Sequence, residues 1–313
     1  MPMVSVGIPT YNRPEGLRNT LNRVTNQTYR NLDIIISDNC SFDRQAVAAV
    51  IEEFSKNDSR VRFVRQSENI GAIRNFKFLL DQATADYFVW AADDDELDPE
   101  YIEACMKALL NKAGAVIGIT GIDVVDKMQE PWIAKEYTRY LQKLPARGTF
   151  ERLRNYILQP EYYGKYRILW GVIKRTVLVE AFNEAFSHLE PGDQPMWSIM
   201  PIDFAVLARG DLAVNPRNLY HVQLLPTSDG MREGQLMDKK QIEICRKGFR
   251  SFARVLRNQT TLGSTQKMIL LSLLKAEELY ALARIVPFQV IKSRSPRLAR
   301  FIKKLWFDVL VRQ

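Results

Sequence analysis

Apolar runs of strand length alternate with amphipathic helical patterns along the first 120 or so residues. The second run holds three consecutive isoleucines, Ile34 to Ile36, which suits a strand buried on both faces. Strands that alternate with helices of this length predict a mostly parallel sheet flanked by helices. The predicted strands are 3–9, 32–37, 60–65, 87–91 and 115–120, and the predicted helices are 13–26, 43–56, 72–83 and 99–110. Ligands of such sheets bind beyond the carboxyl ends of the strands, so chemistry is expected there.

The remainder of the chain follows different patterns. Residues 123 to about 225 are rich in aromatic side chains, with a strand predicted at 167–173 and a helix around 200–208. From residue 239 onward the pattern is helical, and Pro287 and Pro296 are expected to interrupt it. We therefore predict boundaries after residues 122 and 225.

Composition limits the class of protein and its compartment. Hydrophobic residues make up 46% and charged residues 26%, as in ordinary globular proteins. The cysteines (Cys40, Cys105 and Cys245) lie far apart and show no C-x-x-C or zinc-binding spacing, which favours a reduced, cytoplasmic compartment. We expect neither a signal peptide nor a membrane-spanning helix. The formal charge of +8 indicates an anionic partner: a nucleoside diphosphate, a membrane surface or a nucleic acid.

The first predicted strand ends in the sequence PTYNRP, residues 9–14. A dinucleotide site would require glycines here, so that class is disfavoured. Tyr11 offers a flat face for a nucleobase, and Arg13 offers charge for a phosphate. The alternative is a plain turn before a helix, with Asn12 or Arg13 near the cap and Pro14 in the first turn.

Two further strand ends carry polar side chains. Asp38 follows the second strand, where its carboxylate could accept a hydrogen bond from the ring N–H of uracil or a similar base, or simply form a turn. Gly71 begins a helix with Arg74 in its first turn. Helix N-termini favour anions, although a plain capped helix would use the same residues.

An acidic run, Asp93 to Glu96, follows the fourth strand, and Asp98 comes two places later. Asp98 is well placed as a helix N-cap with Pro99 at the first helical position. Adjacent carboxylates from Asp93 to Asp95 repel one another and raise each other's pKa, and a bound cation would relieve that cost. Mg2+ and Mn2+ accept a few carboxylates and complete their shell with phosphate oxygens and water. The alternative is a solvated acidic turn.

Taken together, these motifs resemble glycosyltransferase family 2, the inverting enzymes with the GT-A fold. The resemblance is specific over about residues 3–110 and looser to about 225. The motifs are PTYNR at 9–13, Asp38-Asn39, ENIG at 68–71 with Asn75, and Asp93 to Asp95. The resemblance implies a nucleotide-sugar-binding region at 1–122, an acceptor-binding and catalytic region at 123–225, and a helical C-terminal extension at 226–313.

The resemblance also implies roles for individual residues. A divalent ion, Mg2+ or Mn2+, would be held by Asp94 and Asp95, with His221 as a late ligand or a merely structural histidine. Ala92 stands where many family members carry an aspartate, so it is open which acid contacts ribose and which the metal. The residues expected to bind the nucleotide sugar are Pro9, Thr10, Tyr11, Arg13, Asp38, Asn69, Arg74, Asp93 and Asp94.

The general base of the family is often the aspartate of a Glu-Asp pair at the start of a helix, and Ile202-Asp203 matches that pair here. The apolar helical neighbours of Asp203 predict that it faces inward, which is costly unless the carboxylate has a partner or a function. Asp203 is therefore the expected catalytic base. A capping role is the alternative, and Asp193 is the second candidate base.

The implied activity is metal-dependent, inverting transfer of a sugar from a nucleotide-diphosphate sugar, with a UDP-sugar favoured. The expected acceptor is a hydroxyl of a bacterial-type polysaccharide or lipid-linked glycan. A nucleotidyltransferase would show a glycine-rich phosphate loop, which is missing from the sequence PTYNRP. Nucleic-acid binding is disfavoured because the basic residues concentrate at the C-terminus. A non-catalytic scaffold that keeps the fold remains an open alternative.

Residues 287–313 alternate basic and apolar side chains in a pattern typical of an amphipathic helix. Such a helix suits an anionic membrane surface, or it packs on the protein body with its basic side in solvent. The expected location is accordingly the cytoplasm, with peripheral attachment to the inner face of the membrane as a further expectation.

Overall fold

A computed structural model describes residues 1–126, 141, 143–146, 148–159, 165–186, 195–224 and 239–294. The strands are β1 Val4–Thr10, β2 Leu32–Asp38, β3 Val61–Arg65, β4 Tyr87–Trp90, β5 Glu96–Leu97, β6 Ala115–Asp126, β7 Val172–Lys174 and β8 Asp211–Leu224. The helices are α1 Pro14–Thr25, α2 Arg44–Asn57, α3 Ala72–Gln82, α4 Tyr101–Asn111, α5 Thr149–Leu158, α6 Arg175–Phe186, α7 Pro195–Arg209, α8 Lys239–Asn258 and α9 Ser264–Arg294. A 3-10 turn covers Lys165–Trp170.

Within the described ranges the strands form one sheet in the order β3-β2-β1-β4-β7-β6-β8-β5. The first four strands are parallel, as are β6 and β8. Strand β7 runs antiparallel to both β4 and β6, and β5 runs antiparallel to β8. The α/β class with a helix-flanked sheet is confirmed, and the sheet is mixed. Strands from both sides of the predicted boundary at residue 122 belong to this one sheet. The proposed division of the chain into three regions stays a prediction.

The first half of the sheet is buried because its strands are apolar on both faces. Val4, Val6 and Ile8 of β1 are fully buried between its neighbours β2 and β4. Helix α1 covers this part of the sheet with a stripe that includes Leu17, Leu21 and Val24, at the spacing of one helical face. The result is a rigid platform on which the strand ends are held in fixed positions.

Local signals explain where the helices of this half begin. Helix α1 begins with Pro14 at its first position and Arg13 as its N-cap residue. The side chain of Asp43 caps α2 by accepting from the Ala46 N–H at 2.9 Å. Gly71, at φ +84°, is the N-cap of α3, in a backbone conformation that glycine adopts without strain.

Several predicted elements differ from the structure. Residues 165–170 form the 3-10 turn rather than the start of a strand, so only Val172–Lys174 is extended. Helix α9 continues through Pro287 to Arg294, because one proline removes a single backbone hydrogen bond from a long helix. Strands β5 and β8 and helices α5 and α6 were not predicted.

The C-terminal helices pack on the second half of the molecule. Helix α8 packs against α7, and α9 packs against α8 and α5. The helical C-terminal extension is thus observed as far as Arg294, and residues 295–313 lie outside the described part. Among the described segments, no helix combines the length and apolar character that crossing a membrane requires.

Candidate functional site

The loops after β1 and β2 are bound to each other at the carboxyl edge of the sheet. The Asn39 N–H donates to the Thr10 carbonyl at 2.9 Å, and the Asn12 N–H donates to Ser41 Oγ at 2.7 Å. The Phe42 N–H donates to Asn12 Oδ1 at 2.8 Å. Asn12 and Cys40 adopt positive φ values of 56° and 64°. Non-glycine residues take this conformation infrequently, and here hydrogen bonds between the loops support it, so the two loops form one fixed unit.

These loops hold two aromatic rings side by side. The ring centroids of Tyr11 and Phe42 lie 5.9 Å apart with the planes tilted by 56°. Phe42 is 84% exposed, more than any other large hydrophobic side chain in the described part of the chain. An exposed aromatic ring on a fixed loop offers a face for a planar ligand such as a nucleobase.

Arg13 and Thr10 bring β1 together with the acidic run. Arg13 Nη1 lies 3.2 Å from Asp93 Oδ1 and 2.7 Å from Asp94 Oδ2. Thr10 Oγ1 donates to Asp93 Oδ2 at 2.8 Å. The structure therefore gathers four of the predicted nucleotide-sugar residues into one cluster, which we call the Arg13 cluster: Thr10, Arg13, Asp93 and Asp94.

Burial perturbs Asp93, the more buried acid of this cluster. Desolvation, with repulsion from Asp94, raises the pKa of Asp93 to about 7, although Arg13 and Thr10 counteract the shift. The charge of Asp93 thus depends on cations close to it. Perturbed carboxylates at a strand end are typical of functional sites, and structural ion pairs also produce them.

Backbone packing fixes the acidic run against α1. An added Cβ at Gly16 would lie 2.2 Å from the Asp93 carbonyl oxygen, so only glycine allows this approach. Thr20 Oγ1 donates to the Ala92 carbonyl at 3.0 Å. The first turns of α1 therefore fix the position of the Asp93 and Asp94 backbone relative to Arg13.

Asp95 points inward to a different set of partners. Tyr220 donates its hydroxyl to Asp95 Oδ2 at 2.6 Å, and the Gln223 N–H donates to Oδ1 at 3.1 Å. Arg167 Nη1 lies 3.5 Å from Oδ2. Desolvation, with repulsion from Asp94, raises the pKa of Asp95 to about 6 against the attraction of Arg167. Both oxygens of Asp95 are occupied by protein donors, which ties β8 to the acidic run.

Of the predicted metal ligands on the acidic run, Asp94 fits a divalent ion better than Asp95 does. The described residues include no group of three or more His, Cys, Asp or Glu side chains that could hold one. Asp94 is partly exposed, and its Oδ1 has no hydrogen bond to a described residue. Mg2+ is commonly bound through one or two carboxylates plus substrate phosphates and water. Asp94 fits such a site beside Arg13, whereas the inward position of Asp95 does not favour it as a ligand.

His221 lies on β8 close to two acids, Asp98 and Asp123. Its Nε2 is 3.2 Å from Asp98 Oδ1, and its Nδ1 is 3.7 Å from Asp123 Oδ2. Neighbouring strand residues point to opposite faces, so His221 faces away from the side on which Tyr220 meets Asp95. The prediction that Asp98 caps α4 is wrong, because α4 begins at Tyr101 without a side-chain cap. A metal-binding role for His221 stays a prediction.

Asp38 is fully buried, and its oxygens are engaged. Ser41 donates to Oδ1 through its N–H at 3.0 Å and its hydroxyl at 2.6 Å. Arg65 Nη1 contacts Oδ2 at 2.6 Å. A nucleobase N–H would have to compete with these donors, so the predicted base contact requires Asp38 or Arg65 to move.

The segment before α3 completes the edge of the sheet. Asn69 Oδ1 accepts from Asn39 Nδ2 at 3.0 Å and from the Gly71 N–H at 2.9 Å. Asn69 therefore connects the loops after β2 and β3. Arg74 is exposed and has no hydrogen bond or ion pair with the described residues, which leaves it available to an anion. Pro9 lies within β1, in register with Ser37 of β2.

Asp203 lies inside α7 with no exposed surface. Neither carboxyl oxygen has a hydrogen-bond partner in the described part of the chain. Desolvation raises the pKa of Asp203 well above its usual value, opposed only by the nearby Leu169 N–H. In this conformation burial disfavours the charged form of Asp203 and shields the carboxyl group from an acceptor. Its assignment as general base stays a prediction, and Asp193 lies outside the described residues.

Sequence reasoning missed several residues of this region. Phe42 carried a signal that was not used: a large aromatic residue stands in the loop after a strand, directly before the helix-capping Asp43. Arg65 is the last residue of the third predicted strand, and its charge at a strand end was a second signal. Arg167 and Tyr220 carried none, because their contacts with Asp95 span 72 and 125 positions of sequence.

The parallel half-sheet, the acidic run beyond β4 and the antiparallel β7 define an α/β domain of the GT-A type. A family model described as "Glycosyl transferase family 2" matches residues 5–173, more than half of the chain. The protein belongs to glycosyltransferase family 2.

Curated relatives match parts of the chain. The Campylobacter jejuni GalNAc(5)-diNAcBac-PP-undecaprenol beta-1,3-glucosyltransferase is 29% identical over 190 residues, which are 59% of this chain and 56% of that protein. Abequosyltransferase RfbV of Salmonella typhimurium is 34% identical over 130 residues, 40% of this chain and 38% of that one. The chain thus spans about half the length of the curated relatives it matches, or less.

A solved structure shares the fold. The crystal structure of S. aureus TarS 1–349 in complex with UDP-GlcNAc superimposes with a TM-score of 0.67 at 14% identity, covering 88% of this chain and 72% of that one. At this identity the likeness concerns the fold alone.

Proposed function

We propose that the protein is a metal-dependent, inverting glycosyltransferase that moves a sugar from a nucleotide-diphosphate sugar to an acceptor hydroxyl. The observation that carries the proposal is the Arg13 cluster at the carboxyl edge of β1 and β4, with Arg13 Nη1 2.7 Å from Asp94 Oδ2. Membership of the family supports the reaction class. The donor type, the metal and the stereochemistry are our inference from this cluster and from the family resemblance.

The donor would lie across the edge of the sheet. Tyr11 and Phe42 would receive the nucleobase, and Arg13 and exposed Arg74 would face the diphosphate. Both arginines are permanently charged, and their planar guanidinium groups match phosphate geometry. A UDP-sugar is the first donor to test, since the structurally similar S. aureus protein was crystallised with UDP-GlcNAc.

Asp94 would hold the divalent ion, Mg2+ or Mn2+, through its partly exposed carboxylate, with Asp93 beside it. Such an ion would supply positive charge against the charge that develops on the departing nucleoside diphosphate. Arg13 is the positive charge in contact with Asp93 and Asp94 in this structure. When the ion binds, Arg13 would either move toward the phosphates or contact the two carboxylates together with the ion. Asp95 would act mainly by fixing the acidic run to β8, through Tyr220 and Gln223.

A single displacement at the anomeric carbon would invert its configuration, with an aspartate taking the proton of the acceptor hydroxyl. Asp203 is the first candidate and Asp193 the second. Because Asp203 is fully buried, its use as a base requires the acceptor to open a path beside α7. Asp203→Asn and Asp193→Asn, compared at equal donor occupancy, would identify which carboxyl group transfer requires.

We propose a polysaccharide or lipid-linked glycan as the acceptor. The name of the C. jejuni relative describes an undecaprenol-linked substrate. Transfer to a lipid-linked acceptor would take place at a membrane surface, which agrees with the predicted basic amphipathic stretch 287–313. The proposed location is the cytoplasm, with peripheral attachment to the inner face of the membrane.

A panel of nucleotide sugars, tested for hydrolysis and transfer with and without Mn2+, would test the proposal. Turnover of one donor that depends on Mn2+ is expected. Asp94→Asn should remove metal-dependent binding of the nucleoside diphosphate in calorimetry, whereas Asp86→Asn, an exposed acid at the opposite end of β4, should keep it. Equal binding by both variants, with no donor turned over, would contradict the proposal.

A further inference from the structure

Helix α9 presents apolar side chains to solvent. Met268 is 62% exposed, Ile269 43%, Leu279 57% and Tyr280 41%. Their spacing places them on one side of the helix, together with exposed Ala276. Scattered exposed apolar side chains are ordinary, but several on one helical face are a mark of an interaction surface.

The opposite side of α9 is apolar as well. Leu270, Leu274 and Ala281 are buried against the rest of the protein. A surface helix normally has a polar outer face opposite its buried stripe. On the outer face of α9, the charged Lys275 is paired with Glu278 at 2.7 Å. We call this side, with Met268, Ile269, Ala276, Leu279 and Tyr280, the outer face of α9.

Charge is distributed very unevenly along the chain. Residues 239–313 contain 17 Lys and Arg against 4 Asp and Glu, a net charge of +13. Since the whole chain carries +8, residues 1–238 carry −5. The C-terminal part therefore attracts anionic surfaces, while the remainder of the protein does not.

Helix α8 supplies much of this charge next to α9. It contains seven Lys and Arg and a single acid, Glu243. Its apolar side, including Phe252 and Val255, is buried, which directs the basic side outward, where Arg246, Arg250 and Arg257 are exposed. Helix α8 packs against α9. The exposed apolar groups of α9 and the basic groups of α8 therefore belong to one pair of neighbouring helices.

We propose that the outer face of α9 docks onto an anionic lipid bilayer, with the basic residues of the neighbouring helix α8 adding electrostatic attraction. The apolar side chains enter the boundary between headgroups and acyl chains, and the basic side chains meet the lipid phosphates. This extends to residues 239–282 the membrane contact proposed above for 287–313. This proposal rests on the proposed function in one respect: transfer to a lipid-linked acceptor is the reason why the protein would bind a membrane.

Charge also decides against two other occupants of this face. A second copy docked through the same face would bring two strongly basic surfaces together, and like charges across an interface are unfavourable. Residues 295–313 carry five Lys and Arg and one Asp, so they would likewise add positive charge. An anionic bilayer is the partner that satisfies both the apolar and the basic groups.

Flotation of the 313-residue chain with vesicles tests the proposal. We expect binding to vesicles of phosphatidylglycerol mixed with phosphatidylcholine, weaker binding to phosphatidylcholine alone, and loss of binding at high salt. The double variant Met268→Ser/Leu279→Ser should partition about tenfold less, because two exposed apolar groups lose their lipid contact. Leu110→Ser, which removes an exposed leucine from α4, is the matched control and should bind as the wild type does.

Unchanged partitioning of Met268→Ser/Leu279→Ser would overturn the proposal. So would loss of binding only in Arg300→Glu/Lys304→Glu, which would assign the contact to the last residues. A dimer in sedimentation that dissociates in the double serine variant would show that a second copy covers the face. No substrate enters these assays, so their outcome is separate from that of the donor panel.

Discussion

Replacing Arg13 with glutamine should make the protein depend on a divalent ion for part of its stability. Arg13 Nη1 contacts Asp93 Oδ1 at 3.2 Å and Asp94 Oδ2 at 2.7 Å. In Arg13→Gln the two neighbouring carboxylates lose this positive charge. Asp93 then takes up a proton or the acidic run rearranges, and both responses lower the free energy of unfolding near neutral pH.

The expected size follows from distance and exposure. At an effective dielectric constant of about 20, the two attractions amount to about 6 and 5 kcal/mol before desolvation is counted. Most of this is offset by the cost of burying the charges, and the Arg13 side chain is still 29% exposed. Breaking a fully buried pair costs about 3–5 kcal/mol and an exposed one up to about 1. We therefore expect a loss of about 2 kcal/mol, which corresponds to a fall in Tm of roughly 4 °C.

Thermal unfolding with and without Mn2+ measures the effect. The Tm of Arg13→Gln should rise more on adding Mn2+ than that of the wild type, because the ion replaces the lost charge at Asp94. Arg18→Gln is the matched control: Arg18 lies on the same helix but pairs with exposed Glu53 at the surface. If Arg13→Gln and Arg18→Gln had equal Tm values, or if Mn2+ shifted all three proteins equally, the reasoning would be refuted.

Three further changes test other parts of the account. Burial raises the pKa of Asp203 well above 3.8, so the folded protein keeps a proton that the unfolded chain releases, and stability falls as pH rises. The advantage of Asp203→Asn in unfolding free energy should therefore grow by up to about 1.4 kcal/mol per pH unit above pH 4; a pH-independent difference would count against a buried, protonated Asp203. Gly16→Ala places a Cβ 2.2 Å from the Asp93 carbonyl oxygen and should cost about 1–3 kcal/mol in denaturant unfolding, with Gly263→Ala, whose Cβ would lie 4.0 Å from Gln266 Oε1, nearly neutral. Phe42→Ala should weaken UDP binding roughly fivefold in calorimetry, since aromatic contacts contribute about 1 kcal/mol, and Phe63→Ala should not; equal affinities would remove Phe42 from the base site.

The first half of the fold could be predicted because its signals are local. Apolar runs, helical stripes, Pro14 and Gly71 locate β1 to β4 and the helices between them within a few residues. Parallel pairing then brings the strand ends to one edge, where ligand binding was expected and where Thr10 meets the acidic run.

The second half could not be predicted in the same way. Strand β5 has only two residues, and β8 contains Pro216 and alternates irregularly, so neither has a strand pattern. The pairing of β8 with β6 includes register shifts near Thr120 and Gly121. Contacts of this kind are decided by tertiary packing, which no short window of sequence encodes.

The acidic run shows the same limit at the level of single side chains. The sequence indicated that adjacent carboxylates need positive charge. It did not reveal that Arg13 and Arg167 supply part of it, on opposite sides of the run. Nor did it show that Asp95 is held by Tyr220, a residue of an unpredicted strand. The predicted residue types were appropriate, but their partners depend on the folded chain.

A crystal structure of the protein with UDP and Mn2+ tests the central claim most directly. The account predicts manganese density in contact with Asp94, bridging to the diphosphate, with Arg13 turned toward the phosphates and uracil against Tyr11. An ion bound elsewhere, with Asp94 still paired only to Arg13 and the nucleotide absent from this edge of the sheet, would contradict it.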